Sequence, residues 1–290
     1  MSYQLTAKTN KVGAVIGSII NTIAEGKMIT LVKTRNTRNK RIIAEMMNML
    51  LMVIFIPVFA AGAYMVINSE VIYHTDSVII AFIKGLLRRH DKLAFIVTWV
   101  VPVLLGAFMH ELAHGNACRA CKGGRVYEYG IHIGIIPGFY TAADERGIRG
   151  PGARLKKLQI MLAGVEANIL LAGISLILSC LIYNLSEIFL TWADINLGLF
   201  AINILFFKKL DGQLAIALIL GLDERNGDFI KAMNVVRSRR RKKMLLKDGP
   251  VGLMKIAACY VFELYNILYP LIIVMNILFI GSIIIGGLPI

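Results

Sequence analysis

Charge is scarce in this sequence, and acidic charge is the scarcer sign. Charged residues make up 17% of the 290 residues, hydrophobic residues make up 57%, and the mean hydropathy is +0.68. Soluble globular chains are roughly a quarter charged, so this composition excludes a soluble enzyme and a secreted domain. Four cysteines are too few for a disulfide scaffold, which predicts a reducing compartment. The scattered prolines and glycines exclude a collagen-like repeat.

Long hydrophobic runs are present instead. About 20 apolar residues cross a hydrocarbon core of roughly 30 Å, and four segments are long and apolar enough: residues 46–67, 93–113, 160–185 and 188–207. A fifth run, 257–290, fits either one kinked span or two half-spans. The shorter run 12–24 is predicted to be interfacial. The expected fold class is therefore all-α, a polytopic membrane helical bundle of about five or six spans.

The basic residues are concentrated in three regions that alternate with these spans. Of the 32 Lys and Arg residues, 28 lie in residues 8–41, 119–157 and 208–255. By the positive-inside rule, the N-terminus and the large basic loops are cytoplasmic, in a multi-pass protein of the cell membrane. The run RSRRRKK at 237–243 is then a solvated loop facing anionic lipid. No nucleic-acid partner is expected.

The sequence His-Glu-Leu-Ala-His at residues 110–114 lies inside an apolar span. Positions four apart share one helix face, so His110 and His114 can both direct a ring nitrogen at one Zn²⁺. Glu111 is placed to accept a proton from a water on that metal. Ionisable groups inside a membrane helix are costly, which favours a functional role over a polar helix end.

A catalytic zinc site needs a third protein ligand and one open position. The acids and histidines near the predicted spans are Glu166, Asp194, Asp211, Glu263 and His132. His110 lies about 26 Å along its span, at 1.5 Å per residue, so the metal is expected near the cytoplasmic boundary. This depth leaves Asp211 and Glu166 as candidates.

Three segments together resemble the site-2 protease family of intramembrane zinc metalloproteases. They are HELAH, LAGVEANILLAG in the next span, and NILFFKKLDG in the one after, within residues 93–222. The resemblance implies that Asp211 is the third zinc ligand. It also supports a role for Asn168 and Asn203 in orienting a ligand or the substrate carbonyl, with helix–helix hydrogen bonding inside the membrane as the open alternative. The third segment lacks the prolines of the family pattern, and Gln213 replaces its second glycine.

The stretch 123–140 is not helical in pattern, because glycines recur among β-branched and aromatic residues. It predicts a short hairpin or re-entrant strand pair at the membrane surface, whose edge could hold an unwound substrate segment. The stretch is most similar to a bacterial branch of the same family associated with peptide export and maturation. Cys118 and Cys121, just before it, are predicted to be reduced packing residues.

These observations divide the chain into three parts. Residues 1–92 form a basic N-terminus, a first span and an external connector; 93–222 form the catalytic core; 223–290 form a basic loop and a C-terminal membrane segment. The predicted function is zinc-dependent hydrolysis of membrane-embedded or juxtamembrane peptides, whose substrates are peptides or single-span membrane proteins. Two alternatives stay open: a non-proteolytic zinc-binding partner of an exported peptide, such as an immunity or scaffold protein, and a cation transporter.

Overall fold

The structure is a computed structural model that describes residues 27–69, 93, 96–133, 138–204, 210–220, 238–261 and 264. The helices and strands of these residues are, in chain order, β1 (Lys27–Lys33), α1 (Arg38–Ile67), α2 (Val101–Ala120), β2 (Arg125–Ile133), β3 (Gly138–Asp144), α3 (Ala153–Leu181), α4 (Ser186–Ile204), α5 (Asp211–Ile219), α6 (Arg239–Leu246) and α7 (Pro250–Val261). A π-helical turn, Ile96–Val100, leads into α2, and a 3-10 turn, Tyr183–Leu185, joins α3 to α4.

Four of these helices are long and apolar enough to cross a membrane: α1, α2 with its π-helical turn, α3, and α4 with its 3-10 turn. They correspond to the four predicted spans and confirm a mainly helical chain with apolar helices. The predicted segment 257–290 lies mostly outside the described residues, as does the interfacial run 12–24. The number of spans beyond four therefore stays a prediction.

Helix α3 lies at the centre of the bundle, where it packs against α1, α2, α4 and α5. Its apolar window is 56% buried, whereas that of α1 is only 6% buried. A helix whose apolar surface is left exposed on this scale is suited to contact lipid, since lipid tails solvate apolar side chains as well as other side chains do. Among the described helices, α1 is thus peripheral and α3 is central.

Helices α1 and α3 approach closely at two glycines. A Cβ atom on Gly62 would lie 2.6 Å from the carbonyl oxygen of Gly173, and one on Gly173 would lie 2.6 Å from the Cα atom of Phe59. Small residues of this kind let helix backbones meet inside a membrane, where packing replaces the hydrophobic effect as the driving force. The Gly62–Gly173 contact holds the peripheral helix against the core helix.

The three strands form one antiparallel sheet in the order β1-β2-β3. The predicted hairpin within 123–140 is confirmed as β2 and β3, but the pairing of β1 with β2 was not predicted. Glu128 on the central strand accepts hydrogen bonds from Thr30 Oγ1 of β1 (2.9 Å) and Tyr140 Oη of β3 (3.0 Å). Side chains from both outer strands thus converge on one carboxylate.

The sheet is attached to the bundle on two sides. Asn36, between β1 and α1, exchanges hydrogen bonds with the backbone N–H and C=O of Val126 at 3.1 and 3.0 Å. On the other side, Thr141 Oγ1 of β3 donates to the backbone carbonyl of Glu111 on α2 (2.7 Å). The Phe139 and Phe108 rings meet edge to face, with centroids 5.4 Å apart. Strand β3 therefore runs beside the HELAH segment.

The four cysteines are free thiols. Cys118 and Cys121 are buried in one apolar cluster with residues such as Val126, as predicted for packing cysteines. Cys259 is also buried, whereas Cys180 is half-buried. Burial raises the pKa of the Cys121 thiol, which keeps it protonated and poorly nucleophilic at neutral pH.

We predict that Gly173→Ala destabilises the bundle by about 1–3 kcal/mol, the usual cost of overpacking a close contact. The new methyl group would meet backbone atoms of α1, which cannot rotate away. The matched control is Gly198→Ala on α4, where a Cβ meets nothing within 4 Å. Thermal unfolding of both variants in the same detergent measures the difference. Equal melting temperatures would contradict the proposed importance of the α1–α3 contact.

Candidate metal centre

Helix α2 places His110 and His114 one turn apart on the same face, as the spacing predicts. Their Nε2 atoms are 3.0 Å apart. The helix continues to Ala120, seven residues beyond the predicted end of the apolar span. The HELAH segment thus lies within the helix and not near its end, because the polar residues that follow it remain helical until Cys121 adopts an extended conformation.

Asp211 brings the third donor atom from a separate helix. It is the first residue of α5, after Leu210 in an extended conformation. Its Oδ2 atom lies 2.9 Å from His110 Nε2 and 3.2 Å from His114 Nε2, and all three side chains are largely buried. Among the described residues, these three form the group of His, Cys, Asp and Glu side chains that could hold a metal ion.

Both histidine rings are oriented by carbonyl oxygens of α3. His110 Nδ1 lies 2.7 Å from Asn168 Oδ1, and His114 Nδ1 lies 2.6 Å from the backbone oxygen of Ile160. A carbonyl oxygen can only accept, so each Nδ1 carries a hydrogen, and each ring in its neutral form then presents a lone pair at Nε2. Two nitrogen lone pairs and a carboxylate oxygen therefore converge on one point, an arrangement suited to a cation.

A glycine makes this contact between α2 and α3 possible. Ile160, Gly164 and Asn168 are spaced four apart and so share one face of α3. A Cβ atom on Gly164 would lie 2.5 Å from His114 Nε2 and 2.6 Å from His110 Nε2. Any larger residue would therefore clash with the two Nε2 atoms. Gly164 allows the helices to approach until both Nδ1–H groups reach their acceptors.

A short chain of amides continues from His110 towards α4. The buried Asn168 places Nδ2 3.4 Å from both the backbone oxygen of Gly106 and Asn196 Oδ1. Asn196 in turn donates through Nδ2 to the backbone oxygen of Trp192 (2.9 Å). The sequence analysis missed Asn196. Its position as an amide inside an apolar span was the available signal, since intramembrane polar residues mark helix contacts or sites.

Glu111 lies beside the donor group but contributes none of its three atoms. It is half-buried, its backbone carbonyl accepts the Thr141 hydrogen bond, and its carboxylate interacts electrostatically with His114 and with Tyr129. On an α-helix it is turned by about 100° from His110. A side chain at that angle flanks the helix face that carries the histidines.

The other predicted candidates lie elsewhere. Asn203 Nδ2 donates to the backbone oxygen of Leu199 within its own helix (3.0 Å), and among the described residues no hydrogen bond joins this amide to the histidines, so its orienting role stays a prediction. Among the described residues, Glu166 is half-buried and its Oε2 atom has no hydrogen-bond partner. Asp194 and His132 are also outside the donor group, and Glu263 lies outside the described residues. Of the two carboxylates left by depth, Asp211 joins the histidines.

Arg154 anchors the far end of the helix that carries Asp211. Its Nε atom donates to the backbone oxygen of Leu218 (2.8 Å), and its Nη2 atom donates to that of Ile219. The last carbonyls of a helix have no partner within the helix, and a basic side chain satisfies them. Helix α5 is thus held at its C-terminus by α3, while its N-terminal residue faces the histidines.

We predict that Asn168→Leu lowers metal affinity by roughly 10- to 100-fold, the usual effect of losing a ligand's orienting partner. Leucine keeps the volume but cannot accept the His110 Nδ1 hydrogen. Asn203→Leu is the comparison variant, because its Nδ2 atom donates to a backbone oxygen of its own helix and no described residue links this amide to the histidines by a hydrogen bond. Metal titration of both variants, at equal folding by circular dichroism, measures the effect. Equal affinities in the two variants would contradict it.

We also predict that Asp211→Ala largely abolishes metal retention, whereas Glu166→Gln leaves it intact. The first substitution removes a donor atom 2.9 Å from His110 Nε2, and the second changes a carboxylate outside the group. The loss in Asp211→Ala should exceed the 10- to 100-fold effect of an orienting residue. Elemental analysis of the detergent-purified variants gives the stoichiometry. The opposite pattern would make Glu166 the third ligand.

Comparison with models of protein families, with characterised proteins and with solved structures finds no match for this chain. The resemblance to the site-2 protease family thus stays a prediction from three sequence segments. What the structure adds to it is geometric: His110, His114 and Asp211, taken from those segments, meet at one point.

Proposed function

We propose that this chain is a zinc-dependent intramembrane metalloprotease that cleaves membrane-embedded or juxtamembrane peptides. The observation that carries the proposal is the convergence of His110 Nε2, His114 Nε2 and Asp211 Oδ2 at separations of 2.9–3.2 Å. It is supported by the long apolar helix α2, which supplies both histidines. The site-2 protease resemblance points to the same reaction.

The donor set fits zinc. Zinc in catalytic sites takes three protein ligands from nitrogen and oxygen donors at about 2.0–2.2 Å and leaves a fourth position open. Ligand atoms at those distances around a tetrahedral ion are separated by about 3.3 Å. The three pairs of donor atoms here are 2.9, 3.0 and 3.2 Å apart. Small outward movements of the side chains would reach the tetrahedral spacing.

Zinc bound there would supply Lewis-acid polarisation of a water molecule and of the scissile carbonyl. The residues of the chain do the rest. Glu111 would accept a proton from the attacking water and donate it to the leaving amine nitrogen. Asn168 and the Ile160 carbonyl would hold the two imidazoles in place. Thr141 would hold β3 against the backbone of Glu111.

Strand β3 is the part of the sheet best placed to receive a substrate. It is an outer strand of the sheet formed by the described residues, and it lies against α2 at Glu111. A substrate helix must be unwound before one of its peptide bonds can be attacked. The unwound, extended segment can then add to a sheet edge through backbone hydrogen bonds. Pairing with β3 would lead such a segment past the metal centre.

The proposal includes an orientation in the cell membrane. With 28 of 32 basic residues in the N-terminal region and two loops, the positive-inside rule puts those regions in the cytoplasm. The metal centre would then open towards the cytoplasmic side, where water is available. A cation transporter would need ionisable groups at several depths, whereas the donor group here is a single cluster.

We predict that Glu111→Gln retains the metal but loses cleavage, because the amide keeps the shape of the carboxylate and cannot accept a proton. Glu187→Gln is the control, since Glu187 is exposed in the first turn of α4. Each variant would be co-expressed with tagged single-span peptides, with cleavage followed by mass spectrometry and the metal by elemental analysis. The cleavage rate of Glu111→Gln should fall by roughly 10²- to 10⁴-fold, the usual contribution of general acid–base catalysis.

Two outcomes would count against the protease. Cleavage by Glu111→Gln at the wild-type rate would remove Glu111 as the proton acceptor. A wild-type protein that binds the metal and cleaves none of the peptides, while co-purifying with one of them, would favour the non-proteolytic partner. In both cases elemental analysis shows whether the protein still carries the metal, and so distinguishes these outcomes from loss of the metal centre.

A further inference from the structure

A second concave site lies on the other side of α2. It is a partly open cavity of about 210 Å³ bordered by α1, α2 and α3. On α2 it is lined by residues such as Met109 and Leu112. At 100° per residue, the lining residues of α2 lie on a face of the helix about 150° from Glu111. An apolar cavity of about 150 Å³ already holds a benzene ring. This cavity is therefore large enough for a substantial apolar group and is distinct from the metal centre.

The cavity is elongated and apolar. Its lining on α1 runs from Met47 to Ile54, a rise of about 10 Å at 1.5 Å per residue. That is about two-thirds of the ~15 Å that one leaflet contributes to the hydrocarbon core. Apart from two asparagines, its lining side chains are aliphatic or methionine. Such a shape suits part of an acyl chain.

One polar atom in this lining, Asn48 Oδ1, is a buried acceptor without a donor in the described part of the chain. Asn48 is 9% exposed, and its Oδ1 atom is buried without a hydrogen-bond partner among the described residues. A buried acceptor with no donor is unfavourable, and nearly all such groups in folded proteins are satisfied. Asn116 supplies the other amide of the lining. The occupant should therefore carry a hydrogen-bond donor at this end.

The same end of the bundle is basic. The N-terminus of α1 and the C-terminus of α2 lie together, because Asn36 binds Val126 just beyond them. The N-terminus of α3 joins them, since His114 in the C-terminal half of α2 contacts the backbone oxygen of Ile160 in the N-terminal part of α3. Exposed cations follow at Arg38, Lys40 and Lys156. An anionic headgroup is complementary to this end.

We propose that the cavity binds one acyl chain of an anionic phospholipid with a hydroxyl-bearing headgroup, of which phosphatidylglycerol is the representative. The chain lies between α1, α2 and α3. The headgroup lies at the basic end, where a hydroxyl donates to Asn48. This site does not depend on the metal chemistry. Its occupant nevertheless packs against the two helices that carry the histidines and their acceptors.

The test uses the full-length protein in phosphatidylcholine vesicles that contain phosphatidylglycerol with a photoactivatable acyl chain. Cross-linked peptides are identified by mass spectrometry. Labelling should concentrate on the cavity segments of the three helices. Leu171→Trp, which fills the cavity, should reduce this labelling roughly tenfold. Leu181→Trp, at an exposed position near the end of the same helix, should leave it unchanged.

A second variant tests the polar end. Asn48→Leu should keep the chain in the cavity and lose the preference for phosphatidylglycerol over an equally labelled phosphatidylcholine. On wild-type protein, unlabelled phosphatidylglycerol should compete roughly tenfold better than phosphatidylcholine, a result that needs no variant to fold. Circular dichroism and thermal unfolding confirm that each variant is folded.

Three results would overturn the proposal. The first is labelling spread evenly over the lipid-facing surface of α1. The second is labelling equal in Leu171→Trp and Leu181→Trp when both are folded. The third is displacement of the lipid by a single-span peptide but not by unlabelled phosphatidylglycerol, which would make the cavity a substrate site.

Discussion

Two histidine rings on α2 reach one face of α3, and the spacing of the bundle depends on that contact. His110 and His114 find their acceptors eight residues apart on α3, so the two helices must run antiparallel and close together. Gly164, midway between the acceptors, is the residue that lets the rings fit. The same helix then packs through Gly173 against α1 and through Arg154 against α5. One central helix thus aligns the donors and holds the elements around them.

The parts of the site that follow from local geometry could be predicted from the sequence. The spacing of His110 and His114 on a helix is a property of the helix alone. Asp211 is separated from them by almost a hundred residues. The expected depth in the membrane left two candidates for the third ligand, Asp211 and Glu166, and did not decide between them. The choice came from resemblance at the sequence level and from proximity in the structure. The hairpin was readable because its glycines interrupt any helical period.

Other features depend on how elements rotate and meet, which the sequence does not reveal. Helix α4 is apolar on nearly all sides, so the spacing of its apolar residues does not indicate whether Asn196 or Asn203 faces α3. The structure turns Asn196 inwards and leaves Asn203 bonded to its own helix. Strand β1 pairs with a strand about a hundred residues away, and KMITLVK lacks a clean alternation of polar and apolar residues. Asp211 also begins a new helix after the extended residue Leu210. The sequence did not indicate this break, because the segment lacks the prolines that usually interrupt a helix.

The amide chain from α4 has a consequence for the proton on His110. If the side-chain amide of Asn168 rotated by 180°, its NH₂ group would face His110 Nδ1, and the imidazole would have to adopt the other tautomer, with its proton on Nε2. The rotation would also turn the amide oxygen towards the Gly106 carbonyl and Asn196 Oδ1, which are both acceptors. Asn196 is itself fixed by the Trp192 carbonyl. A backbone oxygen on α4 thereby selects which nitrogen of a histidine on α2 is free to bind a cation.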